Sequence, residues 1–201
     1  MIDKTPWELH PDLTEERLVK TAKLIARGRD DALARFDPSV GDDGWTLGCR
    51  AFQFARFRIL EAAETSVFPW LSILDSSKQL IFKIGEVPVR FYHGRADDPS
   101  DRTLRQSFPE LHQLAFSFYQ ESEGRDLAFR FAIDTDSDHE ITSIKFVGLR
   151  GEAPVLRWEV PLAASAARPY AVHPTAAEGV ELPAPTVTVL RRKKDKVPGI
   201  A

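Results

Sequence analysis

The chain has 201 residues, of which 43% are hydrophobic and 28% charged, and its formal net charge is −3. A folded part of about 160 residues would bury roughly 68–70% of the surface its unfolded chain exposes, so a core can form without staples. The single cysteine, Cys49, excludes an internal disulfide and cysteine-based zinc fingers, and no apolar run is long enough for a spanning helix.

Met1 to Trp7 lacks the pattern of a signal peptide, so the sequence reads as a cytoplasmic protein with no membrane association. Charge is unevenly spread. Residues 163–201 carry six basic and three acidic side chains, which leaves 21 basic and 27 acidic on the remainder. An acidic body with a basic end is a poor bulk binder of nucleic acid, so any such contact is confined to a local patch or to the tail.

The first strong pattern is helical. Leu18, Ala22, Ile25, Ala32, Leu33 and Phe36 recur at three- and four-residue steps, which predicts a helix from about Leu13 to Phe36. Asp12 or Thr14 is placed to cap it, and Phe36-Asp37-Pro38 ends it, because a residue before proline is pushed out of helical geometry.

A second helix is predicted from Trp45 to about Glu64. Ala51, Phe52, Ala55, Ile59, Ala62 and Ala63 give it one broad apolar face, yet Leu47, Phe54 and Phe57 lie elsewhere among arginines. The plain reading is a central helix between the first helix and a sheet. The sharper reading is a partner-binding face made by Phe54 and Phe57 with Arg50 and Arg58, since aromatics and arginine are enriched at interface anchors.

From Pro69 the period becomes two. Trp70–Asp75, Gln79–Ile84 and Val87–His93 read as the strands of a meander, and Pro88 inside the third argues for a sheet edge there. After the polar stretch Gly94–Thr103, Ser107-Phe108-Pro109-Glu110 has the form of a capping box before a short helix, with a strand as the alternative. A second meander follows, built on Phe129, Phe131 and Ile133, then Ile144 and Phe146, then Leu156, Trp158 and Val160. The order predicts an α+β fold with two N-terminal helices packed on antiparallel β-meanders.

Residues 1–162 therefore read as one α+β domain. Residues 163–201 read as a Pro- and Ala-rich linker and basic tail, extended or disordered. Within the tail, Thr186–Leu190 has strand propensity and sits beside a basic cluster, Arg191, Arg192, Lys193 and Lys194, a pairing suited to docking on a partner.

Catalytic signatures are missing from the sequence. It has no glycine-rich phosphate loop, no nucleophile elbow and no pair of histidines at metal-ligand spacing. Asp134, Asp136, Asp138 and Glu140 resemble half of a calcium loop, but His139 and Lys145 stand where glycine and glutamate are needed. No cofactor or metal is expected. What remains is the stretch from Arg90 to Arg105, where Arg90, His93, Arg95, Arg102 and Arg105 have the composition of an anion site.

Two functions follow. The first is a non-catalytic binding or regulatory protein, a component of a bacterial multi-protein module with an unidentified protein partner. The alternative is an enzyme or sensor acting on a nucleotide or nucleic acid through residues 90–105.

Overall fold

Thr14 begins the first long helix: its hydroxyl accepts from the Arg17 amide at 3.4 Å, and Glu15 and Glu16 sit in the first turn. The computed structural model describes residues 4–100, 103, 127–151 and 153–162, which belong to one compact unit spanning Met1–Ala164. The helical elements are α1 (Pro6–Leu9), α2 (Glu15–Leu33), a single 3-10 turn (Pro38–Val40) and α3 (Gly44–Glu64). The strands are β1 (Leu71–Asp75), β2 (Ile81–Ile84), β3 (Val87–His93), β4 (Ala128–Thr135), β5 (Ile141–Arg150) and β6 (Ala153–Glu159).

Helices followed by strands make the fold α+β. The strands form one six-stranded sheet in the order β1-β2-β3-β4-β5-β6. The two meanders are joined edge to edge: β3 pairs with β4 in parallel, Val89 opposite Phe129 through His93 opposite Ile133, while every other neighbour is antiparallel. The sheet is therefore mixed.

Pro88 corrects an expectation. β3 is an interior strand, not an edge. Pro88 faces Lys83 of β2, and the pairing with β4 starts one residue later at Val89, so no ladder bond to β4 needs its missing amide.

One face of the sheet carries the main core. Phe82, Ile84, Val89, Phe91, Phe129, Phe131, Ile144, Phe146 and Leu156 meet Leu18, Ala22 and Ile25 of α2 and Ala55, Ile59 and Ala62 of α3. The two helices touch most closely at Gly28, where an added Cβ would lie 2.6 Å from the Ala55 Cα. A side chain has no room there.

Asp12 does not cap α2. Its carboxylate accepts from the Glu86 amide at 3.0 Å and from Arg17 Nη1 at 2.6 Å, which ties the helix entry to the β2–β3 turn. Gly85 in that turn has φ +60°, and a Cβ on it would collide with the Asp12 carboxylate.

The opposite face holds a smaller cluster of Ala96, Ala128, Ala132, Val147 and Leu149, with Tyr92 against it. The expected element after Ser107, the tail from 163 to 201 and Thr186–Leu190 lie outside the described residues.

Candidate functional site

Alternation along β3 decides where the sequence-predicted anion residues go, because successive strand side chains point to opposite faces. Phe91 and His93 share the helix-covered face, whereas Arg90 and Tyr92 belong to the other. Arg90 is opposite Arg130 of β4, and Arg130 in turn is opposite Val147 and, beyond it, Arg157. Arg130 is 1% exposed and donates to the Phe129 carbonyl at 2.9 Å. Arg157 is paired with Asp97 at 2.6 Å. Arg95 is exposed, and its carbonyl accepts from the Tyr92 hydroxyl at 3.3 Å. Burial pushes the Tyr92 phenol up to about 12, against the pull of Arg130 and Arg157. Arg102 and Arg105 lie outside the described residues. Arg90 therefore does not converge with His93 on one site.

His93 has different company. It ends β3 beside Ile133, at the C-terminal ends of the two parallel strands, below α2 and α3. There the structure has a partly open pocket of about 50 Å³, lined by Ile25 and Arg29 of α2, Gly48, Ala51, Phe52 and Ala55 of α3, and Phe91, His93 and Ile133 of the sheet. Phe52 and Phe91 stack at one wall with ring centroids 5.0 Å apart. Gly48 leaves the pocket open, since a Cβ added to it meets nothing within 4 Å.

Arg29 is the unusual member. It is only 6% exposed, in the last turns of α2. Its Nε donates to the His139 carbonyl at 3.0 Å, across the turn between β4 and β5. That turn closes on itself: the Asp136 carboxylate accepts from the Asp138 and Glu140 amides at 2.9 Å each, and His139 takes a left-handed φ of 66°. Asp136, and Asp134 through the Thr135 amide, thus serve the turn itself, and among the described residues no three His, Cys, Asp or Glu side chains cluster to hold a metal ion.

Among the described residues no carboxylate pairs with Arg29, and neither Nη atom has a protein acceptor. Burial alone holds its guanidinium below the ordinary arginine value, with no acidic neighbour offsetting the shift. It stays protonated at any physiological pH. Buried charges are normally paired, because desolvating an ion is costly.

The histidines add no compensation. Burial first, then the Arg29 charge, holds the His93 imidazole below its ordinary value; His139 acts the same way and Asp134 opposes them. His93 Nε2 is 2.9 Å from the Thr135 hydroxyl. At neutral pH the pocket thus offers one buried cation beside an uncharged imidazole, in apolar walls.

The residues expected to bind a partner are placed differently again. Arg50 forks onto Asp42 at 2.9 and 3.0 Å and donates to the Arg35 carbonyl at 2.7 Å. Arg58 is ion-paired with Asp31, its Nε 2.9 Å from that carboxylate. Both arginines brace α3 against α2 and the segment beside it. Phe54 lies under the Arg35 guanidinium, 5.4 Å from ring centroid to charge. Phe57 is 60% exposed, and Trp45, which the sequence reading passed over, is 75% exposed. Trp45, Cys49, Gln53 and Phe57 form one exposed ridge at four-residue steps. Arg191, Arg192, Lys193 and Lys194 lie outside the described residues.

Arg29 was the residue missed. Its signal was present: positions 18, 22, 25, 29 and 32 make one helical stripe, and only 29 carries a charge. Comparison with known proteins returns no matching family model, no matching curated protein and no matching solved structure.

Proposed function

We propose that this domain binds a small anionic ligand in the pocket between α2, α3 and the ends of β3 and β4. The observation that carries the reading is Arg29: a residue only 6% exposed that lines the pocket and whose guanidinium, among the described residues, has the His139 carbonyl on Nε as its protein acceptor. An anion docked there would supply the missing counter-charge and two charge-assisted hydrogen bonds.

The pocket is far smaller than the roughly 300–1,000 Å³ clefts that hold drug-sized ligands, so a nucleotide or nucleic acid is a poor fit to it. The role proposed is recognition, with no bond made or broken.

A ligand that binds only the folded state adds about 2.7 kcal/mol to the unfolding free energy at a hundred times its Kd, and so raises the melting temperature. Thermal unfolding across acetate, phosphate and sulfate, at ionic strength matched with chloride, should give a concentration-dependent rise for at least one anion. Identical curves for all of them would contradict the reading.

The second reading keeps a protein partner, in a cytoplasmic and bacterial setting as the sequence suggested. It is favoured by the exposed Trp45 and Phe57 on one ridge of α3, because large aromatics anchor interfaces.

A further inference from the structure

Resting on the anion-site reading, we infer that the ligand is a monocarboxylate on a short aliphatic chain, in preference to a phosphoryl compound. Three features of the pocket select for it.

The first is donor geometry. With Nε held by the His139 carbonyl, Arg29 presents its two terminal Nη groups, a planar fork that matches the two oxygens of a carboxylate. The β4–β5 turn fixes the guanidinium plane, so the fork is set before the ligand arrives.

The second is charge. Among the described residues Arg29 is the one arginine or lysine in the pocket lining, and His93 is held toward its neutral form. A monoanion is neutralised by that single charge. A phosphate dianion would leave about one charge uncompensated in largely apolar surroundings. The lining also lacks a helix N-terminus: Arg29 is near the C-terminal end of α2, and Gly48 is already inside α3.

The third is the wall. Ile25, Phe52, Phe91 and Ile133 surround the space beside the fork, and Ala51 and Ala55 leave it narrow. A chain of two or three methylene groups suits such a space, because burying apolar surface there is favourable. Gly48 is the lining position with open space at its Cβ, where an added side chain can shorten the pocket.

The test is calorimetric titration of the full chain with butyrate and, separately, with inorganic phosphate at equal ionic strength. Wild type should bind butyrate at least about tenfold more tightly than phosphate, a difference of about 1.4 kcal/mol. Gly48→Leu adds a side chain at a lining position whose Cβ has open space and replaces glycine by a better helix former. It should stay folded and weaken butyrate binding at least about tenfold.

Phosphate binding as tightly as butyrate overturns the ligand class while leaving an anion site in place. Binding of neither overturns both. Butyrate bound equally by wild type and a folded Gly48→Leu puts the carboxylate elsewhere and overturns the assignment of this pocket. If Gly48→Leu proves unstable, Gly48→Ala gives the same comparison with a smaller expected loss.

Discussion

Gly28→Ala is expected to lower the unfolding free energy by about 3 kcal/mol and the melting temperature by about 6–12 °C. Glycine inside a helix ordinarily costs about 0.5–1 kcal/mol relative to alanine, so this substitution would help at an open site. At Gly28 the new Cβ meets the Ala55 Cα at 2.6 Å and its Cβ at 2.9 Å, well inside contact distance. The obstacle is mainly backbone and does not swing aside, so the helices must separate. Separation also strains the Arg58–Asp31 pair and the shared core around Ile25 and Ile59.

Gly48→Ala, in α3 and with open space at its Cβ, is the internal control and should gain about 0.5–1 kcal/mol. Equal melting temperatures for the two alanine variants would show that the α2–α3 contact is looser than described.

Arg29→Met should abolish anion-dependent stabilisation while changing the stability of the ligand-free protein by no more than about 1 kcal/mol. The two halves of that expectation come from different terms. Removing the guanidinium loses the bond to the His139 carbonyl, and a hydrogen bond to a charged group contributes about 1.5–3 kcal/mol. It also removes the desolvation cost of a buried cation with no counter-charge, which acts in the opposite direction. Methionine keeps most of the aliphatic stem's packing.

An arginine held in a buried ion pair behaves otherwise, since losing one partner strands the other at about 3–5 kcal/mol. Chemical denaturation of wild type and Arg29→Met, with and without ligand, separates the cases. A loss of about 3 kcal/mol or more in the absence of ligand would make Arg29 a structural brace instead.

Much of the fold was legible because it rests on local periodicity. The stripe from Leu18 to Ala32 marked α2, and the alternation of Val87, Val89 and Phe91 marked β3 with its ends unchanged. The parallel junction was not legible. Pairing of Val89–His93 with Phe129–Ile133 is a long-range choice, and nothing local distinguishes a strand that will pair with its next neighbour in parallel. Pro88 misled for a related reason: an edge signal in sequence registers a missing amide, and this amide lies just before the ladder it would have joined.

At the site the difficulty was one of faces. Reading Arg90 to Arg105 as one cluster treated neighbours in sequence as neighbours in space, but alternation puts Arg90 and His93 on opposite sides of the sheet. His93 lines a pocket with Arg29 of α2, about sixty positions away in sequence, which composition could not bring to it. A charge lying on an apolar helical stripe was the usable clue, and Arg29 was that charge.

The most direct measurement of the central claim is nitrogen-edited NMR of the Arg29 side chain and the pocket amides during titration with butyrate. The account predicts that the Arg29 Nε–H and Nη resonances move, together with the amides of Gly48, Phe52, His93 and Ile133, all saturating with a single Kd. Shifts confined to exposed arginines such as Arg95, with Arg29 unmoved to saturation, would contradict it.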